Sequence, residues 1–282
     1  MTARQIAKSV LPRTLVNAAR RLLHHGPNLS GIGPSQSNEA DLIDQLLPGR
    51  DIRPTFCEFG FTISEFNCGR LARRGWEGLL IDGDARNVEA AQDVLAGSRL
   101  NVSADQAFLD LDNIRPTLMH HFHVAPGVLS IDVDGNDYWF LEALLPWEPQ
   151  LVIVEYNASL GLRPLTVPYD RTFERHAKHP SGWYHGASIT ALQTLCARSG
   201  YRLVAVSDSG VNLFFMRDLA GSLEPSEAYR ENRLRNGLSK HDGPAAMAND
   251  LRSSVRHGRL ALSAARLDPR AAPLRHPAEL PD

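Results

Sequence analysis

Cysteine is scarce in this sequence of 282 residues, and its spacing is that of neither a metal site nor a disulfide framework. The three cysteines are Cys57, Cys68 and Cys196, an odd number with no closely spaced pair. Disulfide-stapled proteins and zinc ribbons use cysteines in pairs at short, regular spacings. The sequence therefore excludes both classes, and we expect reduced thiols.

Long apolar runs and a strong excess of one charge are also missing. No stretch of about 18 apolar residues occurs, and residues 1–25 lack the apolar run and the small-residue cleavage site of a secretory signal. The formal net charge is -2 and the pI is about 6.6. These features predict a soluble cytoplasmic protein with small-molecule partners, no nucleic acid partner and no general attraction to an anionic membrane.

The charge that is present is unevenly distributed. Residues 1–30 contain five Lys and Arg and no Asp or Glu, residues 31–220 contain 15 against 24, and residues 221–282 contain ten against eight. An acidic middle between two basic arms indicates extra segments attached to a central catalytic or binding unit.

This distribution and the hydrophobic pattern together predict three regions. We expect a helical N-terminal extension over residues 1–50, a central domain over residues 51–217 and a partly disordered C-terminal extension over residues 218–282. Residues 1–25 have the pattern of a basic amphipathic helix. We expect this helix to pack on its own domain or across a homo-oligomer, and docking on a membrane surface is the alternative.

Short apolar runs alternate with stretches of helical periodicity through the middle of the chain. This alternation is typical of an α/β fold in which crossover helices join parallel strands. We predict a doubly wound, mostly parallel, seven-stranded Rossmann-like sheet that ends in an antiparallel hairpin. The predicted strands are residues 55–59, 78–81, 99–102, 128–133, 151–156, 201–206 and 211–216. The predicted helices are one through Leu42, Ile43, Leu46 and Leu47 and others over residues 65–74, 86–95, 138–145 and 189–198.

Acidic residues follow the first two predicted strands, where open parallel sheets bind their ligands. Glu58 and Gly60 end the first strand, and this glycine allows a tight turn close to a ligand or merely a structural turn. Asp82 and Asp84 end the second strand. A carboxylate there accepts both hydroxyl protons of a ribose, although either acid also suits the cap of the next helix. The combination favours a nucleoside site.

A second group of polar residues follows the next two strands. Asp132 and Asp134 end the fourth strand, and Glu155 and Asn157 end the fifth. These strand ends are neighbours in a parallel sheet, so the four side chains are expected around one pocket. They suit Mg²⁺ or Mn²⁺, or they act without metal as a general base, or they only cap helices.

Two common catalytic patterns are absent. There is no Gly-x-Gly-x-x-Gly fingerprint of a dinucleotide site, which argues against a nicotinamide oxidoreductase. Ser188 is not part of a Gly-x-Ser-x-Gly elbow, which argues against a hydrolase triad. His185 precedes it by three residues and is a candidate base.

Taken in order, these pieces resemble the class I S-adenosylmethionine-dependent methyltransferases, and specifically the FkbM-like branch. The resemblance covers roughly residues 34–217, and the ordered series is more specific than any one member. The matching segments are residues 35–39 (SQSNE), 57–60 (CEFG), 75–84 (GWEGLLIDGD), 130–138 (SIDVDGNDY), 154–157 (VEYN), 184–188 (YHGAS) and 210–215 (GVNLFF).

The resemblance implies a role for particular residues. Glu58 and Gly60 form the first cofactor motif and Asp82 binds the ribose hydroxyls. Ser35 and Gln36 reach over the cofactor, and Asp132 and Asp134 face the sulfonium and the acceptor. The function that we expect is biosynthetic O-methylation of a sugar-like or secondary-metabolite hydroxyl by S-adenosylmethionine. Such an acceptor needs Asp132, Glu155 or His185 as base, or a metal that lowers its pKa. The expected metal ligands are Asp132, Asp134, Glu155 and Asn157. A non-catalytic scaffold is the alternative.

Overall fold

The computed structural model describes residues 33–179, 182–217, 221–234 and 263–264. The predicted helix within residues 1–25 lies outside the described residues, as does most of the predicted C-terminal extension. The predicted division into three regions stays a prediction. Among the helices that are described, none has the length and apolar character needed to cross a membrane.

Nine strands and eight α-helices are described. The strands are β1 (Thr55–Phe59), β2 (Glu77–Asp82), β3 (Val102–Gln106), β4 (Val128–Ile131), β5 (Leu151–Glu155), β6 (Leu165–Thr166), β7 (Tyr201–Val206), β8 (Asn212–Arg217) and β9 (Ser263–Ala264). The helices are α1 (Glu39–Leu46), α2 (Gly69–Arg73), α3 (Ala85–Ala96), α4 (Ile114–His121), α5 (Asp137–Leu144), α6 (Arg175–Lys178), α7 (Ile189–Arg198) and α8 (Pro225–Ala228).

The main sheet has seven strands in the order β3-β2-β1-β4-β5-β8-β7. The first five strands in this order are parallel, and β8 runs antiparallel to both β5 and β7. The chain builds outward from β1 in one direction and from β4 in the other, so the strand order reverses between these two strands. The predicted doubly wound α/β sheet with a terminal antiparallel hairpin is confirmed.

The sheet is buried on both faces, as its apolar strands require. Every residue of β4 and β5 is buried. Alternate residues serve two separate cores: Cys57 and Phe59 pack on one face, whereas Phe56 packs on the other with Ile43 of α1. This double burial fixes the register of the central strands and therefore the positions of the side chains at their ends.

Two predicted elements differ from the structure. The sequence predicts the third strand at residues 99–102, but β3 begins at Val102 and ends at Gln106. That prediction is wrong because β3 is an edge strand in which only Ala104 is buried, so it carries no apolar pattern. The helix predicted over residues 65–74 is limited to α2, because the Glu58 carboxylate binds the amides just before it.

The N-terminal end of α1 is hydrogen-bonded to the terminal hairpin. Asn38 accepts a hydrogen bond from the Asp208 amide at 2.8 Å. The fully buried Glu39 accepts from the Ser37 amide at 2.7 Å and from Nδ2 of Asn212 at 3.2 Å. These contacts hold the preceding segment, which includes Gln36, over the carboxyl ends of the strands.

Candidate functional site

A cavity of about 850 Å³ opens at the carboxyl ends of β1, β2, β4 and β5. This is the point where strand order reverses, which is where open α/β sheets bind ligands. Its volume falls in the usual range for small-molecule sites, roughly 300–1,000 Å³. Of the residues that the sequence singles out, those that line it are Gln36, Glu58, Gly60, Asp82, Asp84, Asp132, Asp134 and Glu155.

Gly60 forms the turn that brings β1 against β4. Its φ is +70°, and a Cβ atom there would lie 1.5 Å from the carbonyl oxygen of Asp132. Its amide donates to the carbonyl of Ile81 at 3.1 Å, and the Asp132 amide donates to Phe59 at 3.2 Å. No side chain fits at this position, so the glycine is required by close backbone approach as well as by its conformation.

Glu58 is buried beside this turn. Its two carboxylate oxygens accept hydrogen bonds from the amides of Asn67 and Cys68, at 2.7 and 2.9 Å. Burial raises the pKa of Glu58 to about 7, and these two amides oppose that shift. Glu58 therefore holds the start of α2 in place at the edge of the cavity.

The two acids after β2 have different roles. Asp84 caps α3 by accepting from the Arg86 amide at 3.0 Å. Asp82 is half-buried on the cavity wall, where it accepts from the Asp84 amide at 2.6 Å and from Nδ2 of Asn87 at 3.3 Å. Burial raises its pKa. Phe108 stands near this acid with 62% of its surface exposed, and it also lines the cavity.

Three acids converge at the other end of the cavity. Ligand-type oxygens of Asp132, Asp137 and Glu155 lie within 4.8 Å of one another. Burial and the neighbouring charges of Glu155 and Asp137 raise the pKa of Asp132 well above its usual range. The Asp132 side chain therefore holds a proton more strongly than a free aspartate does.

Asp137 was not among the predicted site residues. It is fully buried and accepts from the amides of Val133 and Gly135, at 2.9 and 3.0 Å. Burial and Glu155 raise its pKa to about 7. In the sequence, Asp137 comes directly after the predicted polar turn, a position typical of the first residue of a helix. No sequence pattern indicates that its side chain folds back under that turn.

Arg175 forms a further part of the site that the sequence did not indicate. It forms an ion pair with Asp134, and its Nε donates to the carbonyl of Gly182 at 2.5 Å. Its Nη2 lies 3.0 Å from Nε2 of His185, whose Nδ1 faces Glu155 Oε2 at 3.4 Å. The arginine comes from the chain after β6, far from these partners in sequence, so no local signal identified it.

Three predicted residues do not line the cavity: Ser35, Asn157 and His185. The Ser35 hydroxyl donates to the Ser37 carbonyl and accepts from the Ala40 amide, at the start of α1. Asn157 accepts from the Ser159 amide at 2.9 Å and donates to the carbonyls of Trp183 and His185, at 2.6 and 2.9 Å. Ser188 caps α7 through the Ala191 amide.

Comparison with models of protein families finds no match, and comparison with curated protein sequences finds none either. Solved structures of remotely similar shape exist. A TehB-like S-adenosylmethionine-dependent methyltransferase from Corynebacterium glutamicum is 13% identical with a TM-score of 0.40, covering 73% of this chain and 97% of that one. An O-methyltransferase from Bacillus cereus, solved in complex with S-adenosylhomocysteine, is 16% identical with a TM-score of 0.44, covering 76% and 94%.

A third such structure is the magnesium protoporphyrin IX methyltransferase from Synechocystis PCC 6803, solved with bound S-adenosylmethionine. It is 14% identical with a TM-score of 0.37, covering 63% of this chain and 74% of that one. These likenesses are remote.

Proposed function

We propose that this protein is an S-adenosylmethionine-dependent methyltransferase of the FkbM-like type, which methylates a hydroxyl group of a sugar-like or secondary-metabolite small molecule. One observation carries the proposal: a single cavity at the strand-order reversal has a ribose-type carboxylate, Asp82, at one end and a cluster of carboxylates around Asp132 at the other. The first end suits a nucleoside, and the second suits a reacting hydroxyl group.

The nucleoside end has the groups that an adenosine requires. Asp82 offers carboxylate oxygens at the end of β2, the position from which a ribose is bound in sheets of this type. Phe108 offers an exposed aromatic face beside it for the adenine. Gln36 lies on the wall contributed by the segment before α1. S-adenosylmethionine, when bound there, supplies the methyl group.

The chain's own contribution to the reaction is to place the acceptor and to remove its proton. Asp132 and Glu155 line the cavity side by side, so that carboxylate oxygens face the acceptor there and can accept a proton. The neighbouring acids raise the proton affinity of Asp132, which brings it closer to that of the acceptor hydroxyl. The proton that the acceptor loses goes to this pair.

Several of the residues expected to hold a metal already have other partners. Asp134 is paired with Arg175, whose guanidinium group also lies against His185, so a cation already occupies that position. The Asn157 side chain is hydrogen-bonded to main-chain groups, and both carboxylate oxygens of Asp137 accept hydrogen bonds from backbone amides. We therefore favour the metal-free alternative, with a carboxylate base.

The Asp82→Ala variant should bind S-adenosylmethionine less tightly, by roughly tenfold to more than a hundredfold, because losing a charge-assisted hydrogen-bond pair costs about 1.5–3 kcal/mol. Isothermal titration calorimetry measures the change. Asp93→Ala is the matched control, since that acid is exposed on α3 outside the cavity and its loss should change the affinity little. Equal affinity of the folded Asp82→Ala protein and the wild type would refute the assignment.

The same titration separates the proposal from its alternatives. Binding of S-adenosylhomocysteine and not of NAD supports a methyltransferase, whereas binding of NAD alone supports an oxidoreductase. A protein that binds neither is the non-catalytic scaffold.

Chelation should leave methyl transfer unchanged. Turnover, measured as S-adenosylhomocysteine released, is expected to stay within about twofold after treatment with EDTA, because the Arg175 guanidinium group already pairs with Asp134. Mass spectrometry of the treated protein verifies that no Mg²⁺ or Mn²⁺ remains. A large loss of turnover that Mg²⁺ or Mn²⁺ restores would contradict this prediction and favour metal-assisted transfer.

A further inference from the structure

A chain of charged and polar groups runs from the rim of the cavity to its acidic end. It begins at Asp134, passes through Arg175 and His185, and reaches Glu155. Asp134 is exposed, whereas the Arg175 side chain is only 10% exposed and that of His185 only 2%. A buried arginine of this kind is retained only with partners that satisfy its donors.

The guanidinium group of Arg175 determines which ring nitrogen of His185 carries the hydrogen. A guanidinium group donates hydrogen bonds and cannot accept them. Nε2 of His185, 3.0 Å from Arg175, is therefore the bare nitrogen that accepts. The ring then carries its hydrogen on Nδ1, the atom that faces the Glu155 carboxylate at 3.4 Å. A neutral histidine held in this form presents an N–H to Glu155 and has no free nitrogen to take a proton from the cavity.

We propose that Arg175 is a positioning residue, which fixes His185 in its Nδ1–H form and thereby orients the Glu155 carboxylate beside Asp132. The inference rests on the proposed function, since it assigns an arginine to the proton-accepting end of that site. It also changes the role of His185 from a base that touches the acceptor to a group that orients the base.

Two features near Arg175 support this role independently. Asp134 has a φ of +58°, a left-handed conformation that is uncommon for a residue with a side chain, and its carboxylate is the partner of Arg175. Nε of Arg175 is bound to the Gly182 carbonyl. The guanidinium group is thus held from three directions, by Asp134, Gly182 and His185. A lysine has a single ammonium group and cannot reproduce this planar arrangement.

Nitrogen-15 NMR of the histidine side chains tests the proposal without knowledge of the acceptor. Long-range ¹H–¹⁵N spectra distinguish a protonated ring nitrogen from a bare one, and the His185→Gln variant identifies which signals among the 11 histidines belong to this residue. In the wild type we expect a protonated Nδ1 and a bare Nε2. In Arg175→Met and Arg175→Lys this pattern should be lost, with a mixture of forms or protonation of both nitrogens.

The matched control is Arg171→Met, which removes an exposed arginine four residues earlier that pairs with Asp110 and Asp112. It should leave the His185 signals unchanged. A protonated Nε2 in the wild type overturns the proposal, and so does an unchanged His185 spectrum in a folded Arg175 variant. The wild-type spectrum keeps the test decisive if Arg175→Met does not fold.

Calorimetry with S-adenosylhomocysteine separates this inference from the proposed function. The Arg175 variants should bind it within about threefold of the wild type, because the arginine lies at the acceptor end. Failure of the wild type to bind S-adenosylhomocysteine refutes the methyltransferase assignment, whatever the state of His185. Normal binding with the opposite tautomer refutes only the role of Arg175.

Discussion

The Gly60→Ala variant is expected to lose about 3–5 kcal/mol of stability and, with it, measurable binding of S-adenosylhomocysteine. The added Cβ would lie 1.5 Å from the Asp132 carbonyl oxygen, and that oxygen belongs to the backbone of a buried strand end. This clash can be relieved only if β1 and β4 move apart at the point where they form the cavity. Denaturant unfolding gives the stability and calorimetry gives the binding.

Gly49→Ala is the matched control for this prediction. Gly49 has nearly the same conformation, with a φ of +75°, but nothing lies within 4 Å of its added Cβ. It should lose only the cost of a left-handed conformation, about 1–2 kcal/mol, and bind normally. Similar losses in the two variants would show that the close approach at Gly60 has no energetic consequence.

The Asp132→Asn variant should lose roughly a hundredfold to ten-thousandfold in turnover while its affinity for S-adenosylmethionine changes little, because the carboxylate acts on the acceptor proton. Turnover is measured as S-adenosylhomocysteine released with the best acceptor found among simple sugars and their derivatives. Asp105→Asn, at the end of β3 and paired with His121, controls for loss of an acid outside the cavity. Normal turnover in Asp132→Asn would reduce this acid to a structural role.

The pH dependence of the wild-type enzyme follows from the same group. Burial and the charges of Glu155 and Asp137 raise the pKa of Asp132, so it keeps its proton to higher pH than a free carboxyl group. A base is active only after it has lost that proton. The rate should therefore rise with pH on a limb displaced well above the range of an ordinary aspartate, and this limb should be absent in Asp132→Asn.

Two buried acids, Glu58 and Asp137, also make the stability of the fold depend on pH. Because burial raises the pKa of Glu58 and Asp137 to about 7, the folded protein binds protons that the unfolded chain releases at lower pH. Their protonated forms favour the folded state below neutrality. That contribution is lost as the pH rises through 7.

Much of the sheet follows from sequence alone, because its strands are locally distinctive. The central runs such as Leu151–Glu155 are apolar throughout and must be buried on both faces, which predicts parallel strands with helices on either side. The ends of these strands were therefore also predictable, and with them the acids at Asp82, Asp132 and Glu155. The edge strand β3 was predicted at the wrong residues, because an edge strand buries little apolar surface and so lacks an apolar pattern in the sequence.

The sequence by itself determined the strand ends and the residue types that stand there, because burial requires a local pattern that can be read along the chain. The tertiary structure alone decided which polar groups meet. Asp137 folds back under its own turn, and Arg175 reaches Asp134 and His185 from 41 and ten residues away along the chain. Such contacts depend on where loops cross after the sheet has formed, and a hydrogen bond between distant residues leaves no periodic trace in the sequence.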